Sequence, residues 1–235
     1  MTFMQKPWLS ALIISMGLVL AFALLGNSII EFRNFNRYVE VKGLDEKIVK
    51  ADKAVWNIDF SASDKDLKQA YNQIDASQKK IVEFLKIQGF PAEGLQVQSI
   101  SIQEDLYNKT DNQPTYRAQT GIIVSSNDVD KVAAALQKTS DLVEAGVIVG
   151  NSRARYFYTQ LNSIKPEMLT QATSSAKEAA NTFATNTQSK LGKIRHASQG
   201  IFSITSAEGG NEYENETSVM KKVRVVTSVE FFIED

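Results

Sequence analysis

The stretch Ala54-Val-Trp-Asn-Ile-Asp-Phe-Ser61 alternates apolar and polar side chains without a slip. Ala54, Trp56, Ile58 and Phe60 share one face; Asn57, Asp59 and Ser61 share the other. A period of two marks a half-buried strand. The period then changes. Ser63 to Gln88 reads as a helix, with Ser63 as cap and Asp66 three residues on as a capping-box variant. Leu67, Tyr71, Ile74, Ile81 and Leu85 form its apolar stripe. Gly89 and Pro91 end it. Asp75, Lys79 and Glu83 follow one another at four-residue spacing and make a solvated face.

Two strands come next, Leu95 to Leu106 and Thr115 to Ser125, joined by the polar tip 108–114. The apolar phase slips between Val97 and Ile100, which predicts a bulge. Ser126 caps a short helix over 128–138. Leu142 to Val149 and Arg153 to Leu161 read as two further strands. Upstream, Tyr38-Val-Glu-Val-Lys-Gly43 reads as a short strand ending at glycine.

Pro166 to Leu191 reads as a second long helix, with proline at its start and Gly192 as its stop. Its expected inward stripe is Leu169, Ala172, Ala176, Ala179, Phe183 and Leu191, so small residues allow close packing. Lys193 to Ile204 reads as a strand with a phase change near Gly200, and 205–218 as an acidic loop. The last strand is Val219 to Ile233. There Val223, Val225, Val229, Phe231 and Ile233 alternate with Lys222, Arg224, Ser228, Glu230 and Glu234. The order strand, long helix, strand, strand therefore occurs twice. The expected class is α+β: two related β-α-β-β halves, mainly antiparallel sheet, with two long helices.

Ahead of this domain lies Ser10-Ala-Leu-Ile-Ile-Ser-Met-Gly-Leu-Val-Leu-Ala-Phe-Ala-Leu-Leu-Gly26. No side chain from Pro7 to Ile30 is charged. A helix needs roughly 20 apolar residues to cross the hydrocarbon layer. The segment is therefore read as an N-terminal transmembrane helix over 8–30, after a flank at 1–7 and before a neck at 31–37 and a domain at 38–235. Trp8, Leu12, Ile14, Met16, Leu18, Leu20, Phe22 and Leu25 are its expected membrane-anchoring side chains, with Trp8 at one interface. A cleaved signal peptide is the competing reading, because Ala21-Phe22-Ala23 supplies a small-x-small site. The apolar run continues past that site through Leu24, Leu25, Ile29 and Ile30, which favours a retained anchor. Lys6 stands against Arg33, Arg37 and Lys42, so flank charge does not fix the orientation.

Composition excludes several chemistries. The chain has 26 Lys and Arg against 27 Asp and Glu, which is unlike a nucleic-acid grip. It has no cysteine, so disulfides, thiolate metal sites and cysteine nucleophiles are out. A single histidine, His196, removes most metal and acid–base schemes. Strand alternation would turn Arg195 and His196 to opposite faces. Ser198-Gln199-Gly200 lacks the nucleophile-elbow pattern. Gly209-Gly210 has glutamates beside it and no strand–loop–helix context for a phosphate. Glu208, Glu212, Glu214 and Glu216 are not spaced as a calcium loop. Arg153, Arg155, Tyr156, Phe157 and Tyr158 mix cations with aromatics, and an amphipathic strand accounts for them better than base stacking does. No catalytic, cofactor or metal residue is assigned, no cofactor is implied, and a small-molecule ligand stays unspecified.

Three stretches resemble one family. Arg37-Tyr-Val-Glu-Val-Lys-Gly-Leu-Asp-Glu-Lys-Ile-Val-Lys-Ala-Asp-Lys-Ala-Val-Trp56 is similar to the opening of the SIMPL domain. Gly192-Lys-Ile-Arg-His-Ala-Ser-Gln-Gly-Ile-Phe-Ser203 and Lys221-Lys-Val-Arg-Val-Val-Thr-Ser-Val-Glu-Phe-Phe232 resemble later parts of it. The resemblance implies a bacterial exported domain of unknown function. It also implies a periplasmic location tethered to the inner membrane by a single pass, and a cell-envelope role associated with oxidative-stress defence. One relative assembles into a large ring, so a homo-oligomer is the implied state. Many relatives carry a cleaved signal, and the retained anchor expected here departs from that habit. The expectation is a non-enzymatic, membrane-anchored protein that acts by self-assembly. The alternative is a soluble periplasmic binding module released near Ala23.

Overall fold

The computed structural model describes residues 15–22, 37–105 and 114–234. Trp8, Leu12, Ile14, Leu25, the neck up to residue 36, and residues 106–113, which hold the expected hairpin tip up to residue 113, lie outside the described residues. The chain separates into two compact units. One holds Glu46–Lys165 and Ser203–Arg224; the other holds Met1–Asp45, Pro166–Phe202 and Val225–Asp235.

The larger unit is built on a five-stranded antiparallel sheet. Its strands are β2 (Lys53–Asp64), β3 (Leu95–Val97), β4 (Ser101–Asp105), β5 (Thr115–Ser126) and β6 (Ile148–Phe157). The order is β3-β5-β2-β6, with β4 also on β5. The alternation in β2 is realised: Ala54, Trp56, Ile58 and Phe60 are buried, and their neighbours are half-buried. The helix α1 (Leu67–Ile87) supplies Ala70, Ile74, Ile81, Phe84 and Leu85 to the same core. Each large apolar side chain buried there is worth about 1.5–3 kcal/mol.

α1 starts later than its sequence suggests. Ser63 is still in β2, and Asp66 is the cap, accepting from Gln69 N at 2.9 Å. The inward face is also rotated. Leu67 and Tyr71 are 49% and 48% exposed, and small Ala70 takes the covered position. Gly89 ends the helix with φ of 83°, a conformation that glycine alone adopts freely. The bulge is present. Val97 pairs with Ile122 and Ser101 with Gln119, so three residues oppose two.

Two strand expectations are corrected. Leu142 lies in the short helix α3 (Ser140–Glu144), which follows α2 (Val129–Leu136). Asp128, not Ser126, caps α2 by accepting from Lys131 N at 3.0 Å. Gly146, with φ of 81°, then turns the chain into β6. The two strands expected at 142–149 and 153–161 are thus a single one. Residues 205–218 are no plain loop either. Ser203–Ser206 forms β8 on β9 (Met220–Glu234), and α5 (Glu212–Thr217) opens with a capping box between Asn211 and Glu214.

The second unit places α4 (Leu161–Asn186, from Pro166 onward) on a sheet ordered β1-β9-β7. These strands are β1 (Tyr38–Lys50), β7 (Lys190–Gln199) and β9 (Met220–Glu234). α4 begins five residues before Pro166, because Gln160 O accepts from both Ser163 N and Ser163 Oγ and closes a first turn. The proline's missing N–H falls where the two units meet in sequence. The inward row is Met168, Ala172, Ala176, Ala180 and Ala184, at strict four-residue spacing. Phe183, expected inside, is 57% exposed, and Leu191 lies in β7. Gln188 stops the helix with φ of 55°, and Gly192 sits within the strand. Gly43 does not end β1. It lets α4 approach, since a Cβ there would run into Ala172 O and lie 2.6 Å from Ala176 N. β9 alternates as expected, with Val223, Val225, Val229 and Phe231 buried.

The repeat of element order is real but crosses the sheets. β2-α1-β3/β4-β5 is followed by β6-α4-β7/β8-β9, and β6 pairs with β2. In both runs the second strand is broken. Gln98 N donates to Gly121 O, and Gly200 N donates to Val226 O, each at 2.9 Å. The fold is α+β with antiparallel sheets.

Candidate functional site

Residues 15–22 are helical. Met16, Leu18, Leu20 and Phe22, the described members of the expected anchor, are 65%, 51%, 64% and 68% exposed. Burying such side chains is favourable, so apolar side chains left open to solvent on more than one face of this helix are the informative feature. Among the described residues no helix is long and apolar enough to cross a membrane.

His196 lies on β7, exposed and opposite Glu230. The register shifts between Ile194 and His196, so Arg195 and His196 both stand against that one residue. Simple alternation therefore fails here, and the reason is the bulge. Arg195 makes the strong contacts. Its guanidinium lies 2.7 Å from the Glu230 carboxylate and 4.2 Å from the centre of the Tyr38 ring. Tyr38, Glu230 and Arg195 thus form a three-strand row across β1, β9 and β7. Glu230 and Tyr38 were invisible as partners because their approach depends on strand order. Ser198 pairs with Ser228 on the β7–β9 ladder.

The other candidates disperse. Gly209 and Gly210 have φ of 80° and 122° and make the turn into α5. Glu214 accepts from Asn211 N at 3.2 Å, which commits its carboxylate to the cap. Among the described residues no group of three or more His, Asp or Glu is placed to hold a metal ion. On β6, Arg153 stacks on Tyr213 of α5, 4.7 Å from the ring centre. Arg155 is half-buried and Phe157 exposed, whereas Tyr156 points into the core. Burial, with the Asp130 charge adding to it, pushes the Tyr156 phenol above its usual range. Tyr158 donates to Gln160 O. These aromatics offer no common stacking face.

One buried charge escaped the sequence reading. Lys221 is 2% exposed and donates to Asn215 O at 2.5 Å and Glu216 O at 3.4 Å. It ties down the last turn of α5. Burial pulls its ammonium below the usual lysine range, and the Glu216 charge opposes that. The signal lay in the phase of β9, where Lys221 falls on the inward register of Val223 and Val225.

A family model described as SIMPL, a protein of unknown function (DUF541), matches residues 39–231. None of the curated proteins compared matches the chain. The matched stretch runs from the second residue of β1 to within three residues of the end of β9. It takes in both long helices, all of the larger unit and most of the other from residue 39 onward. The chain belongs to the SIMPL family.

Proposed function

We propose that the chain is a non-enzymatic SIMPL protein held in the inner membrane by its N-terminal segment, with its folded part in the periplasm, and that it works by self-assembly in the cell envelope. The observation that carries the tether is the exposure of Met16, Leu18, Leu20 and Phe22 around a helix inside an uncharged run. Exposure at that level is costly in water and favourable in lipid. A role in stress defence follows only from the family resemblance.

Support for assembly comes from the edges of the β1-β9-β7 sheet. β7 has β9 on one side and no strand on the other among the described residues. Every residue from Lys193 to Gln199 is exposed, and Ile194 is 50% exposed. Such an edge offers backbone groups to a second chain. A closed symmetric assembly satisfies them, and tethering in a plane raises the effective concentration for weak contacts. Light scattering on the chain without residues 1–30 tests assembly. The proposal expects a mass above the monomer that rises with concentration. A monomer at every concentration would remove it.

A further inference from the structure

The end of the α4 unit where β1 begins has a surface that the fold itself does not explain. Arg37 O accepts from Ile233 N at 3.0 Å, so the start of β1 lies beside the end of β9. Lys190 pairs with Glu234, which brings the start of β7 to the same end. α4 finishes there too, with Ser189 N donating back to Ala184 O. Between these termini lies a groove lined by Arg37, Tyr38, Val39, Phe183, Thr187 and Ile233. Two aromatic rings stand open at it: Phe183 is 57% exposed and Tyr38 45%. Phe183 is the one large apolar side chain in the last turns of α4, and the inward row there is all alanine.

Chain length fixes what this end is near. The uncharged run stops at Ile30 and β1 begins at Tyr38, with Arg37 the first residue of the groove. Seven peptide steps from Ile30 to Arg37 reach at most about 25 Å. An anchored run therefore keeps this end within about 25 Å of the headgroups. Aromatic rings with a cation alongside are the side chains that settle at a lipid interface.

We propose that this end of the α4 unit docks on the bilayer surface, with Phe183 and Tyr38 seated at the boundary of headgroups and acyl chains. The inference rests on the anchored reading above. The occupant is the lipid surface; a second copy of the chain or the neck segment would be a different occupant.

The absence of cysteine makes the test direct. Single-cysteine variants T187C, S198C and L20C of the full chain are spin-labelled and reconstituted in vesicles of phosphatidylethanolamine with a minority of phosphatidylglycerol. Accessibility to oxygen, which concentrates in lipid, is compared with accessibility to a water-soluble nickel chelate. The proposal expects the label at 187 to favour oxygen several-fold more than the label at 198, near the far end of β7. A label at 187 that favours the chelate while the label at 20 favours oxygen overturns the docking and leaves the anchor standing. A label at 187 shielded from both reagents means protein covers the groove, which also overturns lipid docking. A label at 198 as immersed as that at 187 overturns the end-on placement. A label at 20 that favours the chelate removes the anchored reading and the docking with it.

Discussion

Gly43 of β1 lies directly beneath the backbone of α4, and a Cβ on it would come within 2.6 Å of Ala176 N. The alanine row of α4 brings the helix down, and the glycine receives it. Backbone cannot move aside as a flexible side chain does. Gly43→Ala is expected to destabilise the α4 unit by about 1–3 kcal/mol, the range for overpacking a tight contact. Denaturant titration checks this. Ala176→Gly, which relieves the Cβ at 2.8 Å but not Ala172 O, is expected to rescue little of it.

The Trp56 indole donates to Ser152 Oγ at 2.9 Å across the β2–β6 pair. Trp56 is fully buried, so its N–H has no water to turn to. Ser152→Ala is expected to cost about 1–3 kcal/mol, the penalty of an orphaned buried donor. Thermal unfolding of the variant measures it. A change below a few tenths of a kcal/mol would show that the indole finds another acceptor.

Lys221 and Tyr156 give opposite alkaline behaviour. Burial holds the folded Lys221 pKa below 10.5, so between the two values the unfolded chain binds more protons. The penalty is present in full at neutral pH, and stability is regained as pH rises through that window. Tyr156 is raised above 10.0 by burial, so the unfolded chain sheds its proton first and stability falls as pH rises past 10.0. Differences from the parent chain separate the two. Lys221→Met is expected to remove the rising contribution and Tyr156→Phe the falling one, in urea titrations across the alkaline range.

Arg195 bridges Glu230 and Tyr38 with its side chain 36% exposed. Partial exposure limits the pair to about 0.5–1 kcal/mol. Arg195→Met is expected to cost that much and to make stability less sensitive to added salt. Arg195→Lys is expected to recover only part, because a lysine lacks the planar group that stacks on Tyr38.

Much of this fold was legible because burial writes its period into the chain. Ala54, Trp56, Ile58 and Phe60 could be placed inward from alternation alone, as could Val223, Val225, Val229 and Phe231. Positions set by tertiary contact were not. Gly43 and Gly192 read as stops, yet both sit within strands, Gly43 because a helix passes over it and Gly192 beside the Phe232 backbone. The inward face of α4 was misphased at Phe183, because side-chain size suggested a buried ring where only alanine fits so close to β1. The strands at 142–149 and 153–161 merged because Gly146 ends a short helix there, and Gly150 and Asn151 lie inside the strand after it. The Arg195–Glu230–Tyr38 row needed strand order, which no local pattern carries.

The intact mass of the protein recovered from washed membranes, set beside that from the soluble periplasmic fraction, tests the central claim most directly. A full-length mass confined to the membrane is the result expected of an anchored, assembling protein. A soluble form lacking roughly the first 23 residues, the length of a cleaved export signal, would contradict it.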